Sequence, residues 1–168
     1  VLTDPATGLE ATCDVRLFAR HPAAEWVLYL RNTGDKPTPL IQNLLPLDLN
    51  LATPAAAVTL RASQGSTCKE TDFLPAAQLL TGATEVVLMP NGGCSSDGRL
   101  PFFNLEWSGG GLVGAIGWSG QWTLMVRRSS PRQTSLRAGQ QFGRFSLQPG
   151  ERVRTPRILL VGWEGQDA

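Results

Sequence analysis

The stretch "EWSGGGLVGAIGWSGQW" (residues 106–122) sets three tryptophans and six glycines in seventeen residues, and its reading decides between two fold classes. Gly109, Gly111 and Gly114 satisfy the letter of G-x-G-x-x-G and follow the strand-like "PFFNLEW", which is how a dinucleotide-binding fingerprint begins. A phosphate cradle also needs a helix starting at the third glycine, so that free N–H groups and the helix dipole face the pyrophosphate. Here "LVGAIGW" is apolar, interrupted by glycine and followed at once by a turn, and no acidic residue stands about 20 positions on. That excludes nucleotide binding and leaves a β-hairpin. With Ser119 and Gly120 as a two-residue turn, Trp118 faces Gln121 and Gly117 faces Trp122, because directly paired residues point to the same side. One face then collects Val113, Ala115, Gly117, Trp122, Leu124 and Val126 as core, with Gly117 leaving room for the Trp122 indole. The other collects Gly114, Ile116, Trp118, Gln121, Thr123 and Met125, a mixed surface suited to a second layer, a partner domain or a ligand. Trp118 on that face reads either as core or interface, or as a platform for a sugar ring.

Outward from this stretch, period two recurs along the chain. "EATCDVRLFAR" alternates Ala11, Cys13, Val15, Leu17 and Ala19 against polar neighbours, the signature of a strand with one buried face. "EWVLYLRNTG" predicts a second strand, and "NTGDKP" supplies the turn residues before "TPLIQNLLPLDLNL", where Leu45, Leu47, Leu49 and Leu51 share a side. Further strands fit "AAVTLRA", "TEVVLM", "LPFFNLEW", "GLVGAIGW", "QWTLMVRR", "QTSLRA", "QFGRFSL" and "RVRTPRILLVGW". Only "LPAAQLLTG" has helical spacing, over barely two turns. Short strands punctuated by Gly, Pro, Asn and Asp predict an all-β, antiparallel sandwich with little or no helix, and a length of 168 residues fits a single domain, 1–168.

Charge narrows the partners. Fifteen Lys and Arg against fourteen Asp and Glu give a net charge of +1 without any run of one sign, which argues against nucleic acid and anionic membrane. No apolar run reaches the roughly 20 residues of a spanning helix, and the start at Val1 predicts a processed or excised piece of a longer protein. Cys13, Cys68 and Cys94 lack C-x-x-C spacing, and with His21 the only histidine, neither a metal site nor a cofactor is expected. Cys13 reads as a small core residue; Cys68 and Cys94, both in Gly/Ser-rich loops, admit a disulfide or two buried thiols. No G-x-S-x-G elbow accompanies His21. Asp97 reads as a turn residue, Glu106 as the exposed member of a strand, and Asp72 as the best ligand contact or else part of a solvated loop, so no pair of opposed carboxyls for glycoside cleavage stands out.

The succession "EWVLYLRNTGDKPTPLIQNLLPLDLNL", a "GS" loop ending in "DF", "GGCSSDGRLPFFNLEW", "GGGLVGAIGWSGQW" and "LQPGERVRTPRILLVGWEG" resembles the N-terminal β-domain of the α-galactosidases of glycoside hydrolase family 36. "PFFNLEW", "IGWSGQW" and "PGERVRTPRILL" carry it most specifically, because their spacing matches as well as their letters. The resemblance implies a β-supersandwich that packs on a catalytic (β/α)8 barrel, the barrel supplying two aspartates for retaining hydrolysis of terminal α-galactosides. The barrel motifs are not in this sequence, so no catalytic residue is expected in it. The resemblance also implies that loops of the domain approach the galactose pocket, in some relatives with a tryptophan. By position and polarity, Gly65, Ser66, Lys69, Asp72 and Phe73 of the long polar loop, with Trp118, are the expected substrate-binding residues. The expected partners are the barrel, met by the face of Ile116, Trp118 and Met125, an α-galactoside, and a second copy in a homo-oligomer. The alternative is a free-standing carbohydrate-binding module, which ought to display an exposed row of aromatics; an adhesion or assembly sandwich comes third.

Overall fold

The computed structural model describes residues 1–53 and 57–165, and these contain strands and no helix. In chain order the strands are β1 (Leu2–Asp4), β2 (Leu9–Phe18), β3 (Ala23–Asn32), β4 (Ile41–Gln42), β5 (Leu47–Ala52), β6 (Val58–Ser63), β7 (Pro75–Leu80), β8 (Glu85–Leu88), β9 (Phe102–Trp107), β10 (Gly110–Gly117), β11 (Trp122–Ser130), β12 (Gln133–Gln140), β13 (Arg144–Phe145), β14 (Arg152–Arg154) and β15 (Arg157–Glu164). Ala56, the first residue of the expected strand "AAVTLRA", lies outside the described residues. The large sheet runs β1-β2-β3-β15-β10-β9-β6-β7, with β14 also laddered to β3. A four-stranded sheet, β5-β12-β11-β8, lies over part of it, and β4 and β13 form a small ribbon. All the strand pairs are antiparallel, as the alternation predicts.

The core fills the space between the two sheets. Val58, Leu60, Phe103, Leu105, Ile116, Ile158 and Leu160 from the large sheet meet Leu47, Val86, Leu88, Trp122, Leu124, Val126, Leu136 and Ala138 from the small one. Removing one such side chain from water contributes about 1.5–3 kcal/mol. Leu49 and Leu51 pack on this cluster beside Leu47, so the leucine alternation of β5 is core-facing as expected. Two part-buried hydrogen bonds anchor tryptophans to connections: Trp26 Nε1 donates to the Pro46 carbonyl at 2.7 Å, and Trp122 Nε1 donates to the Ser95 carbonyl at 2.8 Å.

Five expectations need correction. The segment "LPAAQLLTG" forms edge strand β7, laddered on β6 from Val58↔Leu80 to Ser63↔Pro75. Two helical turns are too short to hold alone, whereas the open edge of β6 offers a full set of partners and Pro75 takes the first position of the strand, where a missing donor is tolerated.

The stretch 106–122 is not a hairpin about Ser119 and Gly120. β10 ladders with β9 and β15, and β11 with β12 and β8, so residues 118–121 carry the chain from one sheet to the other. The crossing shifts the parity of β10 by one residue. Gly114 and Ile116 face the core together with Trp122, Leu124 and Val126, while Val113, exposed by 40%, faces out. A Cβ on Gly117 would stand 3.1 Å from the Arg157 Cβ, away from the Trp122 ring. It is Gly114 that makes room for an aromatic ring: a Cβ there would sit 2.1 Å from Cζ of Phe103, its cross-strand partner.

β2 is a strand, but its apolar side is uncovered. Val15 and Leu17 are 53% and 76% exposed, because the small sheet reaches over β6, β9, β10 and β15 and stops short of β2. For the same reason Cys13 is exposed instead of core. Cys68 and Cys94 are likewise exposed and free, neither bridged nor buried.

Candidate functional site

Three connections meet at one end of the sandwich: 64–74 between β6 and β7, 89–101 between β8 and β9, and the crossing 118–121. The middle one is the joint. Ser66 N–H donates to the Ser96 carbonyl at 2.9 Å, and Ser66 forms a parallel bridge with Asp97. Ser95 N–H donates to the Ser119 carbonyl at 3.2 Å, beside the Trp122 bond to Ser95. Gly65 is required by this closeness, since a Cβ there would lie 1.9 Å from the Ser96 oxygen.

Within 64–74, Asp72 organises the loop. Its Oδ1 accepts from Thr67 N–H at 2.8 Å and Thr67 Oγ1 at 3.2 Å, and its Oδ2 accepts from Ser66 Oγ at 2.8 Å and Lys69 N–H at 3.2 Å. The Thr67 amide above all, with Ser66 and Lys69, holds the carboxyl below the usual aspartate range against the opposing effect of desolvation. An ionised carboxylate with four donors on its two oxygens shapes its own loop and has little capacity left for a ligand. Cys68 and Phe73 flank it with positive φ, 61° and 63°, a conformation unusual for non-glycine residues and often found at functional sites. Phe73 is thereby turned out, 60% exposed.

Gly65, Ser66, Lys69 and Asp72 are therefore brought together, with Phe73 as the outward aromatic at their edge. Trp118 stands on the far side of loop 89–101. It is half-buried against the core, and the Arg154 guanidinium lies 5.4 Å from its ring centre. Ile116, expected beside it on an inter-domain surface, is 2% exposed and belongs to the core, so the surface proposed around Ile116, Trp118 and Met125 does not exist as one face. The part of the cluster that sequence reading missed is the loop "NGGCSSDG", read there for its cysteine and its turn residue. Asp97 is a turn residue, with its N–H bonded to the Cys94 carbonyl at 3.2 Å and its own carbonyl accepting from Asn91 N–H at 2.9 Å.

Glu106 is spoken for. It pairs with Arg61 across β9 and β6, and that hydrogen bond and charge hold its carboxyl below the usual glutamate range. Among the described residues, no group of three or more His, Cys, Asp or Glu side chains is placed to hold a metal ion.

A separate groove of about 610 Å³ lies at the tip of the β9–β10 pair, lined by Trp107, Trp163, Glu164, Pro22 and the backbone of Gly109, Gly110, Gly111 and Gly162. Trp163 Nε1 donates to Asn104 Oδ1 at 3.0 Å, which fixes its ring.

No family model matches the sequence, and no curated protein does. Solved structures do match. The chain is similar to the family 36 α-galactosidase AgaB from Geobacillus stearothermophilus, with 18% identity, a TM-score of 0.74, and coverage of 95% of this chain and 22% of that one. It is similar to AgaA from the same organism, in a structure with raffinose bound, at 17% identity and TM-score 0.76 over 96% and 23%. It is similar to the α-galactosidase from Lactobacillus brevis at 15% identity and TM-score 0.79 over 96% and 22%. At these identities the likeness establishes the fold. The chain spans less than a quarter of the length of the enzymes it matches.

Proposed function

We propose that this chain is the non-catalytic β-sandwich domain of an α-galactosidase-like glycoside hydrolase, preceding a catalytic barrel in the same polypeptide and helping to shape the sugar pocket of that barrel. The observation that carries this reading is that nearly the whole chain superposes on less than a quarter of several α-galactosidases. The expected division of labour agrees with the local chemistry. Among the carboxylates weighed for catalysis, Asp72 serves its own loop and Glu106 serves Arg61, whereas glycoside cleavage needs one carboxyl free to give a proton and another facing it.

In this reading, loop 64–74 is a rim of the sugar pocket. Asp72 is a positioning residue, the amides and Ser66 it gathers set the loop's shape, and Phe73 and Lys69 are the groups offered outward. Trp118, braced by Arg154, supports the neighbouring crossing. An α-galactoside is the expected ligand and the barrel the expected covalent partner. The experiment is a comparison of two preparations with an aryl α-galactoside. The 168-residue chain is expected to show no turnover and the complete gene product to hydrolyse it, with Phe73→Ala raising KM more than it lowers kcat. Turnover by the 168-residue chain, or a complete product without activity, overturns the reading.

The groove beside Trp107 favours a second reading, a carbohydrate-binding module, since indole faces stack on sugar rings. Quenching of tryptophan fluorescence by oligosaccharide, abolished by Trp107→Ala, would support it.

A further inference from the structure

Loop 89–101 contains two dipeptides that end in glycine, Asn91-Gly92 and Asp97-Gly98, and the fold sets each side chain against the other's glycine. A Cβ on Gly92 would stand 2.7 Å from Asp97 Oδ2, and a Cβ on Gly98 would stand 1.9 Å from Asn91 Nδ2. The backbone keeps the two pairs together. Asn91 N–H donates to the Asp97 carbonyl at 2.9 Å, and Asp97 N–H donates to the Cys94 carbonyl at 3.2 Å. Among the described residues no donor reaches the Asp97 carboxylate, in contrast to Asp72 with its four donors and Glu106 with Arg61. It is a base with nothing of its own to hold.

What it touches is a reactive pair. A backbone nitrogen can attack the side-chain amide of the asparagine before it, and the attack meets least hindrance when that nitrogen belongs to glycine, which has no Cβ and a freely turning backbone. Asn91 is the one asparagine of the five in this position. Asn32 precedes Thr33, and Asn43, Asn50 and Asn104 each precede leucine. Asn91 is also exposed, so water reaches it.

We propose that Asn91 is a self-modification site, at which the Gly92 nitrogen closes on the Asn91 side chain with Asp97 as general base. The Asp97 carboxylate takes the proton of the Gly92 amide while the nitrogen forms a bond to Asn91 Cγ. The bond from Cγ to Nδ2 breaks, and Nδ2 leaves as ammonia with the proton that Asp97 returns. Water then opens the five-membered imide at either carbonyl, leaving aspartate or isoaspartate at position 91. Nothing is oxidised or reduced. The product alters the joint of the candidate site: isoaspartate lengthens the main chain by a methylene just ahead of Ser95 and Ser96, whose carbonyls hold Trp122 and Ser66, and either product sets a second carboxylate beside Asp97.

The test follows the complete gene product at neutral pH by tryptic digestion and mass spectrometry of peptide 70–99, released after Lys69 and Arg99. The exchange of amide for acid changes the mass of this peptide, whereas isomerisation of Asp97 does not. Conversion at Asn91 is expected to be at least roughly 10-fold faster in the folded protein than in the same protein unfolded in urea, where Asp97 is no longer held against Gly92, because a positioned base contributes a factor of this order or more. Asp97→Ala, which keeps the backbone bonds of residue 97, is expected to bring the folded rate down to the unfolded one and to leave the unfolded rate unchanged. A folded protein that converts Asn91 no faster than the unfolded one overturns the proposal, as does an Asp97→Ala protein that converts it at the original rate.

Discussion

β2 and β5 carry the same kind of sequence and meet different environments. Each alternates apolar with polar residues: Ala11, Cys13, Val15 and Leu17 in one, Leu47, Leu49 and Leu51 in the other. In β5 the apolar side rests on the core; in β2 Val15 and Leu17 lie on the core side of the large sheet but past the edge of the small one, open to solvent. Alternation records which side of a strand is apolar, and that is a local property. What covers that side depends on how far the opposing sheet extends, here four strands over part of a far wider one.

The largest expected effect tests this contrast directly. Leu124→Ala, under the small sheet, is expected to cost about 2–5 kcal/mol from lost burial and the cavity left behind. Val15→Ala and Leu17→Ala are expected to change stability by less than about 0.5 kcal/mol, as at other exposed positions. Urea midpoints measure both, and a comparable loss at Leu17 would mean that the β2 face is covered after all.

A second test concerns the two glycines of β10. Gly114→Ala drives a methyl into the Phe103 ring and is expected to cost about 1–3 kcal/mol. Gly117→Ala meets only the Arg157 stem and is expected to cost less. The reverse order would restore the hairpin register, in which Gly117 receives Trp122.

A comparable effect is expected from Trp122→Phe. It removes the donor to the Ser95 carbonyl and part of a fully buried ring, together about 1–3 kcal/mol. Amides of loop 89–101 should then exchange with solvent faster than those of β12, and uniform acceleration would show that Trp122 holds the core only.

The smallest effect is the pH response of loop 64–74. Asp72 is held below the usual aspartate range by the hydrogen bonds it accepts, so its contribution to loop order is present above that range and is lost as pH falls through the lowered value. Amide exchange at Thr67 and Lys69 is expected to accelerate in that acid window, and Asp72→Asn to remove the pH dependence. A loop in the variant that still responds there would point to another group.

The fold was largely legible because period two is written in each strand, and the resemblance of "PFFNLEW" and "PGERVRTPRILL" supplied the architecture. Three features escaped for one physical reason. The pairing of β10 with β15, the exposure of Cys13 and the strand at Pro75–Leu80 are each set by a partner distant in sequence. Of the candidate site, the self-contained loop around Asp72 was visible because its polar residues are neighbours in the chain. Its union with "NGGCSSDG" was not, since that depends on backbone bonds from Ser66 to Ser96, thirty residues away.

β15 lies between β3 and β10 and is the last strand of the described chain. During synthesis, β1, β2 and β3 emerge first, then β6, β7, β9 and β10, and neither group ladders with the other until residues 157–164 leave the ribosome. For that interval β10 shows an unpaired edge made of glycine, valine, leucine and isoleucine, the kind of edge that templates aggregation. A chain cut before Arg157 would keep that edge for good, leaving two part-sheets in place of one. The final strand thus acts as the closing piece of the large sheet.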